Sequence, residues 1–424
     1  MGNYKERTVD RLLAEKLEGI GAVLVEGPKW CGKTTTAEHA AQSTLYMSNP
    51  TEKEQNLQLA SINPGTLLLG KTPRLIDEWQ LAPSLWDAIR FEVDHRNESG
   101  QFILTGSAVP PDTSMISHTG TGRIARLKMR TMSLFESGES NGTIRLSELF
   151  EKPDQISGIN DLSINDIAYL ICRGGWPVAA LQKRSIALER AFDYYDAIVE
   201  SDISRVDGTQ RNPERTKKLM RSYARHQASQ SAFATIADDI RANDSDSFAE
   251  NTLYDYINAL KKIFVIEDME AWNPNLRSKT AIRSTDTRYF SDPSIGTAAL
   301  GLGPNDLIAD LNTMGLFFET MCIRDLRVFA EALKGKVYHY RDKSGLECDA
   351  VVHLRNGNYG LIEIKLGGDK LIAEGVKNLN DLASKIDTEK MKAPAFKMIL
   401  VGVGTYAYRR EDGIYIVPIG CLRD

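Results

Sequence analysis

Hydrophobic positions in the first third of the chain fall in short runs separated by amphipathic stretches. The run "GAVLVEG" gives way to the helix-like "KTTTAEHAAQ"; "GTLLLG" and "RLIDEW" are followed by the helix-like "PSLWDAIRFEVDH", and then by the run "QFILTGS". Apolar runs punctuated by helices of this length predict a parallel α/β sheet covered on both faces. After "SLFESGES" the period becomes helical, clearest in "SIALERAFDYYDAIVESDISRV" and "ERTKKLMRSYARHQA", with "RGGWP" as a Gly/Pro-marked turn. From Ser231 the pattern reads helix, polar turn, helix and two strand-like segments, "FVIEDMEAW" and "TRYFSD", the order of a winged helix-turn-helix. The last region predicts αβββαβ: "GLFFETMCIRDLRVFAEALKG", then "KVYHYRD", "LECDAVVHL" and "YGLIEIKLG", a helix from about Lys370 to Ser384, and "FKMILVGVG". The expected fold class is α/β, divided into a parallel-sheet domain over residues 1–140, a helical region over 141–230, a winged-helix-like module over 231–295 and a second α/β domain over 310–424.

A chain of 424 residues has room for about three such cores. The formal net charge of -5 argues against a surface coated in basic residues, so any nucleic-acid contact must come from local patches. No run approaches the roughly 20 apolar residues of a membrane helix, and "MGNYKERTVD" lacks a leader pattern, so a cytoplasmic location without membrane contact is expected. The five scattered cysteines offer neither a disulfide framework nor a zinc pair, and are expected to be reduced and structural.

The stretch Gly27-Pro28-Lys29-Trp30-Cys31-Gly32-Lys33-Thr34 satisfies G-x-x-x-x-G-K-[ST] at every fixed position, after an apolar strand and at the opening of a helix. Glycines let backbone N–H groups surround phosphates, Lys33 reaches the β and γ oxygens, and the Thr34 hydroxyl binds Mg²⁺. Residues Gly27 to Thr35 are therefore the expected ATP- or GTP-binding loop. "RLIDEWQ" ends a strand in Asp77-Glu78, which a parallel sheet delivers to the same edge as that loop; Asp77 suits Mg²⁺ and Glu78 suits polarising the attacking water. Thr105-Gly106-Ser107 ends another strand there and is fit to sense the γ-phosphate or orient water. Arg123, and less directly Arg126, are candidates for an arginine finger acting in cis or from a neighbouring subunit; the second case requires a homo-oligomer.

The phosphate loop, "LIDEWQLAP", "FILTGSA" and the Gly-Arg followed by "MSLFE" resemble the prokaryotic family of AAA+-type ATPases joined to a C-terminal domain of unknown function. The likeness extends over essentially the whole chain, through "RGGWP", "YYDAIVESDISRV", "NTLYDYINALKKIFVIE", "FFE" and "YRDKSGLECDAVV". It implies ATP binding and hydrolysis, and little about physiological role.

Further along, Asp349 in "LECDAVV" and Glu363-x-Lys365 in "LIEIKLG" lie on adjacent predicted strands, with Glu319 on the preceding helix. Carboxylates converging across neighbouring strands can hold a divalent cation, and a lysine two residues on lies on the same strand face, where it could orient or deprotonate a metal-bound water. This arrangement resembles the PD-(D/E)xK nuclease superfamily, although Cys348 stands where proline is usual. Glu347, which shares the face of Asp349, is an alternative to Glu319.

For DNA, the helix from about Ala249 to Ile263 would present Asn251, Tyr254 and Asn258, with Arg277, Lys279, Arg283 and Arg288 on phosphates. A denser basic run is "RNPERTKKLMRSYARH", carrying Arg211, Arg215, Lys217, Lys218, Arg221 and Arg225. The leading expectation is an ATPase whose nucleotide state controls nucleic-acid binding and cleavage by the C-terminal domain. The alternative is a slow nucleotide-dependent switch that recruits a protein partner and keeps that domain as an inactive scaffold.

Overall fold

The computed structural model describes residues 4–106, 119–243, 249–273 and 285–424. These residues form two compact units. The first comprises Met1–Thr131, Ala197–Asn212 and Tyr256–Val265; the second comprises Met132–Asp196, Pro213–Asp255 and Ile266–Asp424. This division cuts across the four segments expected from the sequence, because distant stretches of the chain join each unit.

In the first unit the strands are β1 (Ala22–Glu26), β2 (Ser43–Tyr46), β3 (Arg74–Asp77), β4 (Phe102–Gly106) and β5 (Ile124–Lys128), all parallel in the order β2-β3-β4-β1-β5. Alternate residues feed cores on opposite faces: Leu24, Ile76 and Leu104 join one, while Val23, Val25, Leu75 and Ile103 join the other. Each such side chain, fully buried, stabilises the fold by roughly 1.5–3 kcal/mol before entropy is counted. The strand expected at "GTLLLG" is a 3-10 turn, Pro64–Leu68. Consecutive Leu67 and Leu68 are both buried while Leu69 is exposed, a pattern no strand face produces. The strand at that place in the sheet is β2, whose polar start hid it.

In the second unit the short strands β6 (Ile144–Arg145) and β7 (Gly158–Ile159) come from the region expected to be helical. The remaining strands are β8 (Gly335–Arg341), β9 (Glu347–Leu354), β10 (Tyr359–Lys365), β11 (Phe396–Val401), β12 (Tyr406–Arg409), β13 (Tyr415–Pro418) and β14 (Leu422–Arg423). Seven of them form one sheet in the order β7-β12-β13-β11-β10-β9-β8, and β14 pairs with β6. Helix Leu311–Ala332 lends Phe317, Phe318 and Met321 to the core on one face, and Leu379 and Leu382 of helix Asp369–Lys385 close the other. The expected αβββαβ order is present, extended by β12 to β14 at the C-terminal end and by β7 from far upstream.

Two helices, Phe233–Asn243 and Glu250–Lys262, stand where the helix-turn-helix was expected. The segments after them meet through isolated bridges, Ile266 with Phe290 and Met269 with Thr287, rather than as a continuous hairpin.

Candidate nucleotide site and C-terminal acidic site

The loop after β1 turns into helix Lys33–Ala40 at Gly32, whose φ of 102° is left-handed and suits glycine. A Cβ on Gly27 would lie 2.0 Å from the Met129 carbonyl oxygen, so a side chain there would displace backbone. Arg7 donates to the carbonyls of Cys31 and Arg130, each at 3.0 Å, and so ties the loop to the chain that follows β5. Lys33 Nζ donates to the carbonyls of Gly27 (3.0 Å) and Pro28 (2.7 Å), which holds the amine within the loop. The backbone N–H groups opening the helix supply the anion-attracting end of its dipole.

Parallel pairing puts the ends of β1, β3 and β4 at one edge, in the register Val25 beside Thr105 and Asp77 beside Thr105. Asp77 Oδ1 accepts from the Thr34 hydroxyl at 2.8 Å and from the Thr105 hydroxyl at 2.6 Å. Asp77 and Thr105 are buried. Glu78 follows in the left-handed region (φ 56°), uncommon outside glycine, and accepts from the Gln80 amide. Burial, then the charge of Asp77, raises its pKa, against the pull of Lys33. Ser107 lies outside the described residues.

Among the variable loop positions, Lys29 pairs with Asp202 at 2.6 Å, and Trp30 is about half exposed in a left-handed conformation. Thr35 is exposed on the first turn of the helix.

At the other end of the chain, β9 and β10 pair only as far as Ala350 opposite Ile362. Beyond that point the Ile364 N–H donates to Asp349 Oδ2 at 2.7 Å, so a carboxylate takes the ladder position a backbone carbonyl would hold. Lys365 Nζ lies 3.1 Å from Asp349 Oδ2 and 2.7 Å from Glu363 Oε2, while Glu363 Oε1 is buried without a hydrogen-bond partner. Gly375 lets helix Asp369–Lys385 pass close above: a Cβ there would sit 3.3 Å from that of Glu363.

Burial and the charge of Asp349 push Glu363 up to about 8. Burial works against the charge on Lys365, but Asp349 and Glu363 outweigh it and hold the amine above the ordinary lysine range. A lysine so held is suited to orienting a group or stabilising charge. Glu319 accepts from the Tyr289 hydroxyl, and its pKa is raised by burial and then by Asp349. Among the described residues, no three His, Cys, Asp or Glu side chains are grouped to hold a metal ion. Of the expected ligands Glu319, Asp349 and Glu363, the last two both meet Lys365, which stands between them. Glu347 is drawn to Arg341 at 3.1 Å instead.

Residues 20–137 match the family model of an AAA domain. The phosphate loop, the Asp77 strand and the match together support an ATP-binding P-loop ATPase. Residues 164–306 and 314–422 match two further families, each described as a domain of unknown function (DUF8612 and DUF4143). Uncharacterized proteins of Mycobacterium bovis and Mycobacterium tuberculosis are each 23% identical over 413 residues, which is 96% of this chain and 82% of theirs. A Walker-type ATPase of Pyrococcus abyssi is similar at 16% identity and a TM-score of 0.42, covering 68% of this chain and 94% of its own. A RuvB variant of Thermotoga maritima is similar at 15% identity and a TM-score of 0.25, covering 61% and 88%.

Within the AAA domain the arginines depart from expectation. The Arg123 carbonyl accepts from the Ala22 N–H, and β5 starts beside the beginning of β1. Five strand residues at about 3.3 Å each put Arg123 roughly 16 Å from the phosphate loop, at the opposite sheet edge. That distance speaks against a finger acting in cis. Arg123 pairs with Asp94 at 2.6 Å and Arg126 with Glu26 at 2.9 Å.

The expected nucleic-acid cations are corrected in part. Arg288 is buried, pairs with Asp268 at 2.7 Å and is not a phosphate contact. Arg211 is buried against Asp207, and Arg225 pairs with Asp239. Arg277, Lys279 and Arg283 lie outside the described residues. Asn251, Tyr254 and Asn258 are exposed on their helix. Among the described residues no helix is long and apolar enough to cross a membrane, and all five cysteines are buried and unbridged.

Sequence reasoning missed Arg7, Gln80, Asp202 and Tyr289 as members of these sites. Their roles depend on contacts across long sequence separations or on a local turn, and no motif marks them.

Proposed function

We propose that the protein is a magnesium-dependent ATP hydrolase whose nucleotide state governs nucleic-acid binding, and cleavage, by its C-terminal α/β region. The observation that carries the hydrolase reading is Asp77, buried and receiving both Thr34 and Thr105 beside Glu78. The Thr34 and Asp77 oxygens fit Mg²⁺, which favours such hard donors, and bound Mg²⁺ would neutralise phosphate charge. Lys33 and the loop amides bind the phosphates, and Glu78 takes a proton from the attacking water. The raised pKa of Glu78 makes that carboxylate a better base. Arg123 acts only on a neighbouring subunit's nucleotide, which requires a homo-oligomer.

The nuclease reading rests on Asp349, Glu363 and Lys365 meeting where β9 and β10 separate, together with the buried Glu363 Oε1, which Lys365 does not hold. That oxygen and Asp349 fit a second divalent cation once Lys365 withdraws, with Lys365 then free to stabilise phosphate charge. Its fold is read as PD-(D/E)xK-like and the middle module as winged-helix-like, with Asn251, Tyr254 and Asn258 facing DNA.

Phosphate release and DNA cleavage in Mg²⁺ or Mn²⁺ by wild type, Lys33→Ala and Lys365→Ala test both halves. Equal ATPase rates in wild type and Lys33→Ala remove the hydrolase assignment; cleavage unchanged in Lys365→Ala removes the nuclease.

One observation favours a second reading, a slow nucleotide-dependent switch that recruits a protein partner: Lys365 lies in contact with both acidic side chains, where a cation would have to sit. Tight ATP retention with negligible turnover and no DNA binding at low salt supports that reading over the first.

A further inference from the structure

A stretch of the first unit that lies far from its sheet in sequence reaches directly into the phosphate loop. Segment Ala197–Asn212 belongs to that unit, although the chain enters it from Asp196 and leaves it at Pro213, both in the second. Residues Ile198–Asp202, directly after Ala197, form one π-helical turn, a rare local geometry often found where a helix serves a site. The turn ends in Asp202, whose carboxylate is only 9% exposed and lies 2.6 Å from Lys29 Nζ. Ser201 is its other hydrogen-bond partner, at a long 3.4 Å.

Lys29 sits two residues after Gly27 in the loop that surrounds the phosphates, and its side chain is 39% exposed. A nucleotide triphosphate arriving there brings several negative charges to compete with one carboxylate for this ammonium. Were Lys29 to turn to the phosphates, Asp202 would be left nearly buried with its charge uncompensated. Such a group is strongly disfavoured and is relieved by moving into water. The geometry points to Asp202 as a nucleotide-sensing residue: it holds Lys29 when the loop is free of phosphate, and phosphate binding takes Lys29 away and releases segment 197–212. This inference rests on the ATP-binding reading above.

Because the two sites share one ammonium, the coupling is reciprocal. Removing the competing charge must tighten nucleotide binding, and bound nucleotide must loosen the segment. The test measures Mg·ATP affinity by titration calorimetry for wild type, Asp202→Asn, Lys29→Ala and the double variant, with amide hydrogen exchange of residues 197–212 in the wild type. Asp202→Asn is expected to tighten binding roughly tenfold, within the usual range of such couplings, and to have no effect when Lys29 is already Ala. Exchange in 197–212 is expected to rise on adding Mg·ATP. Wild-type binding with unchanged or weaker affinity in Asp202→Asn overturns this inference alone. Failure of the wild type to bind ATP at all overturns it together with the hydrolase reading.

Discussion

The Thr34 hydroxyl donates to Asp77 Oδ1 at 2.8 Å, joining the first turn after the phosphate loop to the end of β3. The same oxygen receives Thr105 at 2.6 Å, so one carboxylate organises three segments of the nucleotide edge. Asp77→Asn keeps the shape and an oxygen that can accept both hydroxyls, but removes the charge that suits Mg²⁺. Steady-state phosphate release is expected to fall by about 10²–10³-fold, the usual cost of losing one preorganised electrostatic group. A rate within a factor of a few of wild type contradicts the role assigned to Asp77.

Glu78 differs from its neighbour in that no threonine holds it; its partner is the amide of Gln80. Glu78→Gln is expected to lower kcat by at least about 10²-fold while changing ATP affinity by no more than about threefold, since proton transfer is lost and phosphate binding is not. Equal losses in affinity and turnover point instead to a structural role.

Much of this edge is legible in the sequence because the chemistry is local. Gly27 to Thr34 is one continuous stretch, and Asp77 and Thr105 each end an apolar run that a parallel sheet must bring to the same side. What could not be read depends on register or on distant chain. The position of Arg123 at the wrong edge follows from β5 pairing beside the start of β1. Asp202 joins the loop across a separation of 173 residues. In the C-terminal region the acids and the lysine were visible from period-two spacing, but their protonation balance was not, because it depends on burial beneath Gly375 and its helix. The ion pairs at the ends of the basic run, Arg211 with Asp207 and Arg225 with Asp239, were not legible either, because the acids lie outside the run.

The placement of Arg123 makes its own prediction. In protein held as a monomer, Arg123→Ala leaves the ATPase rate within about twofold of wild type, whereas a finger used in trans is worth about 10³-fold or more in an assembled state. Rate against protein concentration separates the cases, and a large loss in the monomer contradicts the distance found here.

Lys365 lies between two carboxylates, one of them almost fully buried. Lys365→Ala leaves that charge uncompensated, and a loss of about 3 kcal/mol is expected at pH 9, of the order found on breaking buried pairs. The loss is smaller at pH 6, because Glu363, already raised to about 8, becomes protonated and neutral. Urea unfolding at the two pH values checks this, and an equal loss at both contradicts the pairing.

His339 on β8 is 3% exposed, and its Nδ1 meets the Gln230 amide at 3.0 Å. Burial, opposed by a hydrogen bond to the Thr285 backbone and aided by Arg341, lowers its pKa from 6.5 to about 4. The unfolded chain binds this proton first, so stability is intact above pH 6.5 and is lost as pH falls toward 4. The whole effect amounts to about 3 kcal/mol. Denaturant midpoints for wild type and His339→Asn between pH 7 and 4.5 test it: the variant is expected to lose less stability on acidification.

The first unit's patchwork make-up also bears on how the protein is made. Residues 1–131 leave the ribosome long before Ala197–Asn212, which supplies Asp202 to Lys29, and before Tyr256–Val265, whose Phe264 ring lies under Lys128 at 5.7 Å. At ordinary synthesis speeds the nucleotide sheet waits on the order of 10 s for its last pieces. During that interval the phosphate loop is present without its acidic partner, so a nucleotide would meet the nascent domain before Asp202 is there to compete for Lys29.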